Sequence, residues 1–149
     1  MKFDRDQIEA RLALKLIASD DMPEIALSAL EAGLDGKAIR RLAILEHPTY
    51  FEVAEVLPRV MQELGITQIP IEEAAVRVAK EIAKGILESG DDALLHLCDF
   101  ESLWVRSEYA DQISKLGTLY DDVYIARYMG RSDEDSRDWV KSILKDFVR

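Results

Sequence analysis

An all-α fold of about eight helices follows from three features of this 149-residue sequence. Apolar residues recur at helical spacing along most of its length. No segment alternates apolar and polar residues over six positions, as a half-buried strand does. Proline, glycine and capping residues fall between the periodic segments. The expected architecture is one all-helical domain, 1–149, of short-to-medium helices in a compact orthogonal or two-layer bundle. The connection at 66–71 is a subdomain hinge at most.

The elements follow in order. Asp4 and Gln7 fit a capping box ahead of QIEARLALKLIA, which should end near Ser19. Pro23 suits the first turn of PEIALSALEA, and Gly33 its C′ position. Asp35 is placed to cap GKAIRRLAIL, which His47-Pro48 stops. Thr49 and Glu52 form a second capping box at the head of YFEVAEVLPRVMQEL. Pro58 inside that pattern predicts a kink or two shorter helices. Pro70 opens IEEAAVRVAKEIAKGILE, with Glu72 and Glu73 at the positive end of the helix dipole. Ser89-Gly90 breaks that helix, and Asp91 is placed to cap the next. Helical patterns continue over 107–116 and 118–129, although LYDDVYIARY comes nearest to a strand pattern. Ser132 caps the final helix, where Trp139, Ile143, Leu144 and Phe147 form the apolar stripe.

The bulk properties exclude several classes. No apolar run reaches the length needed to span a bilayer, so no membrane association is expected. The opening MKFDRDQIEA lacks a secretory apolar core, because Asp4, Asp6 and Glu9 interrupt it. A single cysteine, Cys98, excludes an internal disulfide, and the expected location is cytoplasmic. There is no Gly-rich phosphate loop, zinc-binding cysteine set, H-E-x-x-H, EF-hand loop or G-x-S-x-G. No catalytic residue and no cofactor are therefore assigned, and the reading is non-enzymatic.

The net charge is −10, and residues 86–126 hold nine acids against two bases. A field of that sign repels nucleic-acid backbones and attracts basic proteins. Within it, Tyr120, Tyr124 and Tyr128 recur at i, i+4 and i+8, flanked by Asp121 and Asp122. Two readings stand. The rings are buried with their hydroxyls in water, as on an ordinary amphipathic helix, or they form aromatic anchors on a protein-binding face.

Two further patterns are weighed. In SALEAGLDGKAIRRLAIL, Ala29, Gly33 and Ile39 match the spacing of a helix-turn-helix, whose second helix would present Lys37, Arg40 and Arg41 to phosphates. That helix offers no Gln, Asn or Ser to read base edges. In HLCDFESLW, helical projection puts Ala93, Leu94, Leu97, Cys98, Phe100, Trp104 and Val105 on one apolar arc. Cys98 is thereby expected in the core, away from His96, which removes a cysteine–histidine dyad. Asp92, His96 and Asp99 form a polar stripe, the only metal-ligating candidate. Glu101 falls inside the apolar arc and should lie at its rim or meet an arginine.

DDMPEIALSALEAGLDGKAIRRLAIL, with VLPRVMQELGI and the Pro70 helix, resembles a group of small, uncharacterised, all-helical bacterial proteins over roughly the first 85 residues. That group implies no activity. The acidic helical profile is also similar in type to toxin-neutralising immunity proteins, which hold basic nuclease domains through acidic and aromatic residues. This likeness assigns no residues. The expected function is a non-enzymatic binding protein holding a basic protein partner, as a toxin-neutralising or adaptor module, through Tyr120, Asp121, Asp122, Tyr124 and Tyr128. A homo-oligomer is compatible with that surface. The alternative is a DNA-binding protein using the 24–45 hairpin.

Overall fold

The computed structural model describes residues 2–149. Among the described residues the chain is all-α, with no strand. Eight helices run from seven to nineteen residues: α1 (Arg5–Ala13), α2 (Met22–Glu31), α3 (Lys37–Ala43), α4 (Tyr50–Leu64), α5 (Ile71–Ser89), α6 (Leu97–Arg106), α8 (Leu119–Tyr128) and α9 (Asp133–Val148). A four-residue turn, α7 (Ser114–Gly117), precedes α8. The chain divides into two compact units between Pro70 and Ile71. Among the described residues, no helix is long and apolar enough to cross a membrane.

In the first unit, α2 packs on α3 and α3 on α4. The core joins Ile25, Ala26 and Ala29 of α2, Ile39 and Leu42 of α3, and Val53, Val56, Val60 and Leu64 of α4. Each fully buried Ile or Leu there contributes about 1.5–3 kcal/mol. Gly33 has a φ of +88°, the left-handed conformation that ends α2 and turns the chain toward α3. Pro58 does not divide α4, contrary to the sequence expectation: the helix runs unbroken through it. Val53 and Val56 are buried before Pro58, and Val60 and Leu64 after it. Packing on both sides therefore offsets the one missing backbone hydrogen bond, and Pro58 itself faces solvent.

Two long-range clasps shape this unit. Arg5 donates to the Gly65 carbonyl (2.8 Å), and the buried Glu9 accepts from the Thr67 backbone N–H (2.8 Å). One turn apart on α1, they hold the segment that follows α4. α1 itself stops at Ala13, not near Ser19, because Lys15 takes a positive φ of 56°. The second clasp replaces the expected cap of α3. Asp35 turns away to pair with Arg40 (2.9 Å). The cap comes instead from α4, where the Glu63 carboxylate accepts from the N–H groups of Ala38 (3.1 Å) and Ile39 (2.9 Å). The absence of a Cβ at Gly36 makes room for it, since one there would collide with Glu63 Oε1. Glu63→Ala is expected to cost about 0.5–2 kcal/mol, the usual worth of a cap. Thermal unfolding measures this, and an unchanged midpoint would show that the cap is dispensable.

In the second unit α5 packs on α9, and α6 on α7 and α8. Gly90 ends α5 with a φ of +74°. The next cap is Asp92, not Asp91: Asp92 accepts from the Leu94 N–H (3.0 Å), whereas the Asp91 N–H donates to Ser89 Oγ (3.2 Å). Residues 93–96 form a 3-10 turn, and α6 begins only at Leu97. Leu97, Phe100 and Leu103 form the buried stripe of α6, and Cys98 is exposed, which corrects its expected place in the core. Val105 is also exposed, and Glu101 lies part-buried at the rim. Of the helix expected over 107–116, residues 107–110 form a tight turn instead, with Glu108 and Tyr109 at positive φ.

Candidate functional site

The α8 helix is anchored by two buried residues, Leu119 and Val123. They stand four positions apart and so mark one side of the helix. The remaining surface carries Tyr120, Tyr124 and Tyr128, which are 44%, 63% and 86% exposed, with Ile125 at 59% and Met129 at 78%. Of the two readings, rings buried along the core fit least well, since all three tyrosines are exposed, Tyr128 most and Tyr120 least. Asp121 and Asp122 are exposed as well: Asp121, three residues from Tyr124, neighbours the tyrosine stripe, whereas Asp122, two residues from both Tyr120 and Tyr124, projects from the other flank of α8. They also lie in the first turn of α8, where the helix dipole favours carboxylates.

The far end of this face is fixed to α9. Arg127 donates through Nε to Asp133 (3.0 Å), and Ser132 caps α9 by accepting from the Asp135 N–H (3.1 Å). α8 also packs against α9 and α6. The aromatic and acidic face therefore stands on a fixed element, which lowers the ordering cost of binding. Sequence reading identified the tyrosines and acids here but missed Ile125 and Met129. Their i, i+4 spacing beside the tyrosine stripe was the available signal.

The helix-turn-helix elements are formed, with Ala29 and Ile39 fully buried on either side of the Gly33 turn. The cations do not act as one set. Arg40 is held by both oxygens of Asp35 (2.9 and 3.0 Å), Arg41 lies 4.0 Å from Glu55, and Lys37 is exposed.

Asp92, His96 and Asp99 do not converge. Asp92 faces Arg137, whose Nε donates to it (3.0 Å) and holds its carboxyl below the usual range. His96 lies 3.4 Å from Asp99 and 3.7 Å from Asp91. Among the described residues, no three His, Cys, Asp or Glu side chains are arranged to hold a metal ion. No protein-family model matches the chain, and comparison with curated proteins and with solved structures finds no match.

Proposed function

We propose that this chain is a non-enzymatic binding protein that holds a basic protein partner on the exposed face of α8. The observation that carries this reading is the solvent-facing set of Tyr120, Tyr124 and Tyr128, interleaved with Asp121 and Asp122. Aromatic rings supply large contact area at low entropic cost, and the carboxylates select for positive charge and speed encounter. Ile125, three residues from Tyr128, extends the apolar part of the same contact. The role is that of a cytoplasmic toxin-neutralising or adaptor module, in keeping with the likeness in type to acidic immunity proteins.

The helix-turn-helix reading has less support. Its second helix is seven residues long, its N-terminal N–H groups are taken by Glu63, and Arg40 is neutralised by Asp35.

Affinity capture from extract of the source cell, read by mass spectrometry, tests the proposal. A basic protein should be retained by the native chain and lost from a variant combining Asp121→Lys, Asp122→Lys and Tyr124→Ala. Its retention should also fall as salt is raised, since exposed charge pairs are screened. Undiminished capture by the triple variant, with its helical circular dichroism intact, would refute the assignment of this face.

A further inference from the structure

A second, chemically opposite feature lies in the first unit. Between α3 and α4 a cavity of about 250 Å³ is lined by Lys37, Ala38, Arg41, Glu55, Val56, Arg59 and Glu63. Its floor is apolar, since Ala38 and Val56 are buried. Its walls hold three cations and two acids, and the acids are not equivalent. Glu63 is engaged with the backbone N–H groups of Ala38 and Ile39. It is therefore a fixed cap, and its charge offsets one of the three cations around it. Glu55 reaches Arg41 only at 4.0 Å, with both groups more than half exposed, a contact worth little in water. Among the described residues, Lys37 and Arg59 make no ion pair. Three cations against two acids leave the lining with a surplus of one positive charge, in a chain whose net charge is −10.

We infer that this cavity binds a phosphate-class oxyanion, either free phosphate or the phosphate group of a small ester. A guanidinium group carries planar donor pairs suited to the oxygens of a tetrahedral anion, and two of them, Arg41 and Arg59, line the cavity with Lys37 as a point charge. The anion would take Arg41 from its loose contact with Glu55, so little existing interaction is lost on binding. Sequence spacing grouped Lys37 and Arg41 with Arg40. The fold removes Arg40 to Asp35 and brings in Arg59 from α4.

The experiment titrates the full-length, ¹⁵N-labelled protein with inorganic phosphate, against sodium chloride at matched ionic strength. Saturable amide shifts confined to residues 37–41 and 55–63, absent with chloride, are expected. Arg59→Ala and Arg41→Ala should each weaken the response about tenfold, equivalent to about 1.4 kcal/mol. Both side chains are exposed, so the variants should keep the native spectrum elsewhere. Parallel titrations with glycerol phosphate and a short DNA duplex distinguish the sources. Saturation by glycerol phosphate supports the ester source. Shifts that merely follow ionic strength, an undiminished response in Arg59→Ala, or binding of the duplex alone would each overturn the assignment.

Discussion

Gly117→Ala is expected to destabilise the second unit by about 1–3 kcal/mol, the usual cost of forcing one extra methyl into a filled core. Gly117 is buried at the end of α7, immediately before α8. A Cβ there would lie 2.5 Å from Trp104 Cβ and Cδ2, and closer still to Cγ. These atoms belong to the stem and ring of a large side chain, which cannot swing aside as a flexible chain end can. Trp104 is also set edge-on against Tyr109, with ring centroids 5.0 Å apart. Its Nε1 is buried without a hydrogen-bond partner among the described residues, so packing is what positions the ring. The extra methyl must displace α7 or the indole, and either movement reaches the start of α8. Urea unfolding followed by tryptophan fluorescence measures the cost. A midpoint equal to that of the native chain would show that α7 does not seat against the indole.

What the sequence reveals, and what it hides, divides along contact range. Helix starts at Asp4, Thr49 and Ser132 are set by a side chain and an N–H three residues on, so they are readable locally. The Pro23 start and Gly33 stop of α2 are equally local. Glu63 capping α3 spans 25 residues, Glu9 holding Thr67 spans 58, and Arg137 meeting Asp92 spans 45. No periodicity announces such partners, and nearby acids such as Asp35 and Asp91 were therefore assigned roles that distant or adjacent residues fill. The candidate site shows the same division. The Tyr120, Tyr124 and Tyr128 stripe is legible as spacing, but its exposure depends on which side of α8 meets the core. Only the burial of Leu119 and Val123 decides that.

Phe100→Ala is expected to have the largest effect of any single change considered, about 3–5 kcal/mol. Cys98→Ser, two residues away, should fall within about 0.5 kcal/mol of the native chain. Drawn on a continuous helix, Phe100 and Cys98 belong to one apolar arc. The two stand two residues apart within α6, hence about 160° apart around its axis, so one narrow buried stripe can hold only one of them. Within α6 the buried stripe then runs through Leu97, Phe100 and Leu103, with Ser107 buried just beyond the helix. Advancing 100° per residue, Cys98 comes out on the side opposite that stripe. Phe100 is 1% exposed, and its removal would leave a cavity among residues that α6 shares with α7 and α8. Cys98 should accept a maleimide in the native protein without unfolding, whereas a core thiol would react only on opening. Rapid native labelling, a neutral serine and a costly alanine together fix the phase of α6. Slow labelling with a destabilising Cys98→Ser would restore the continuous-helix phase and return the thiol to the core.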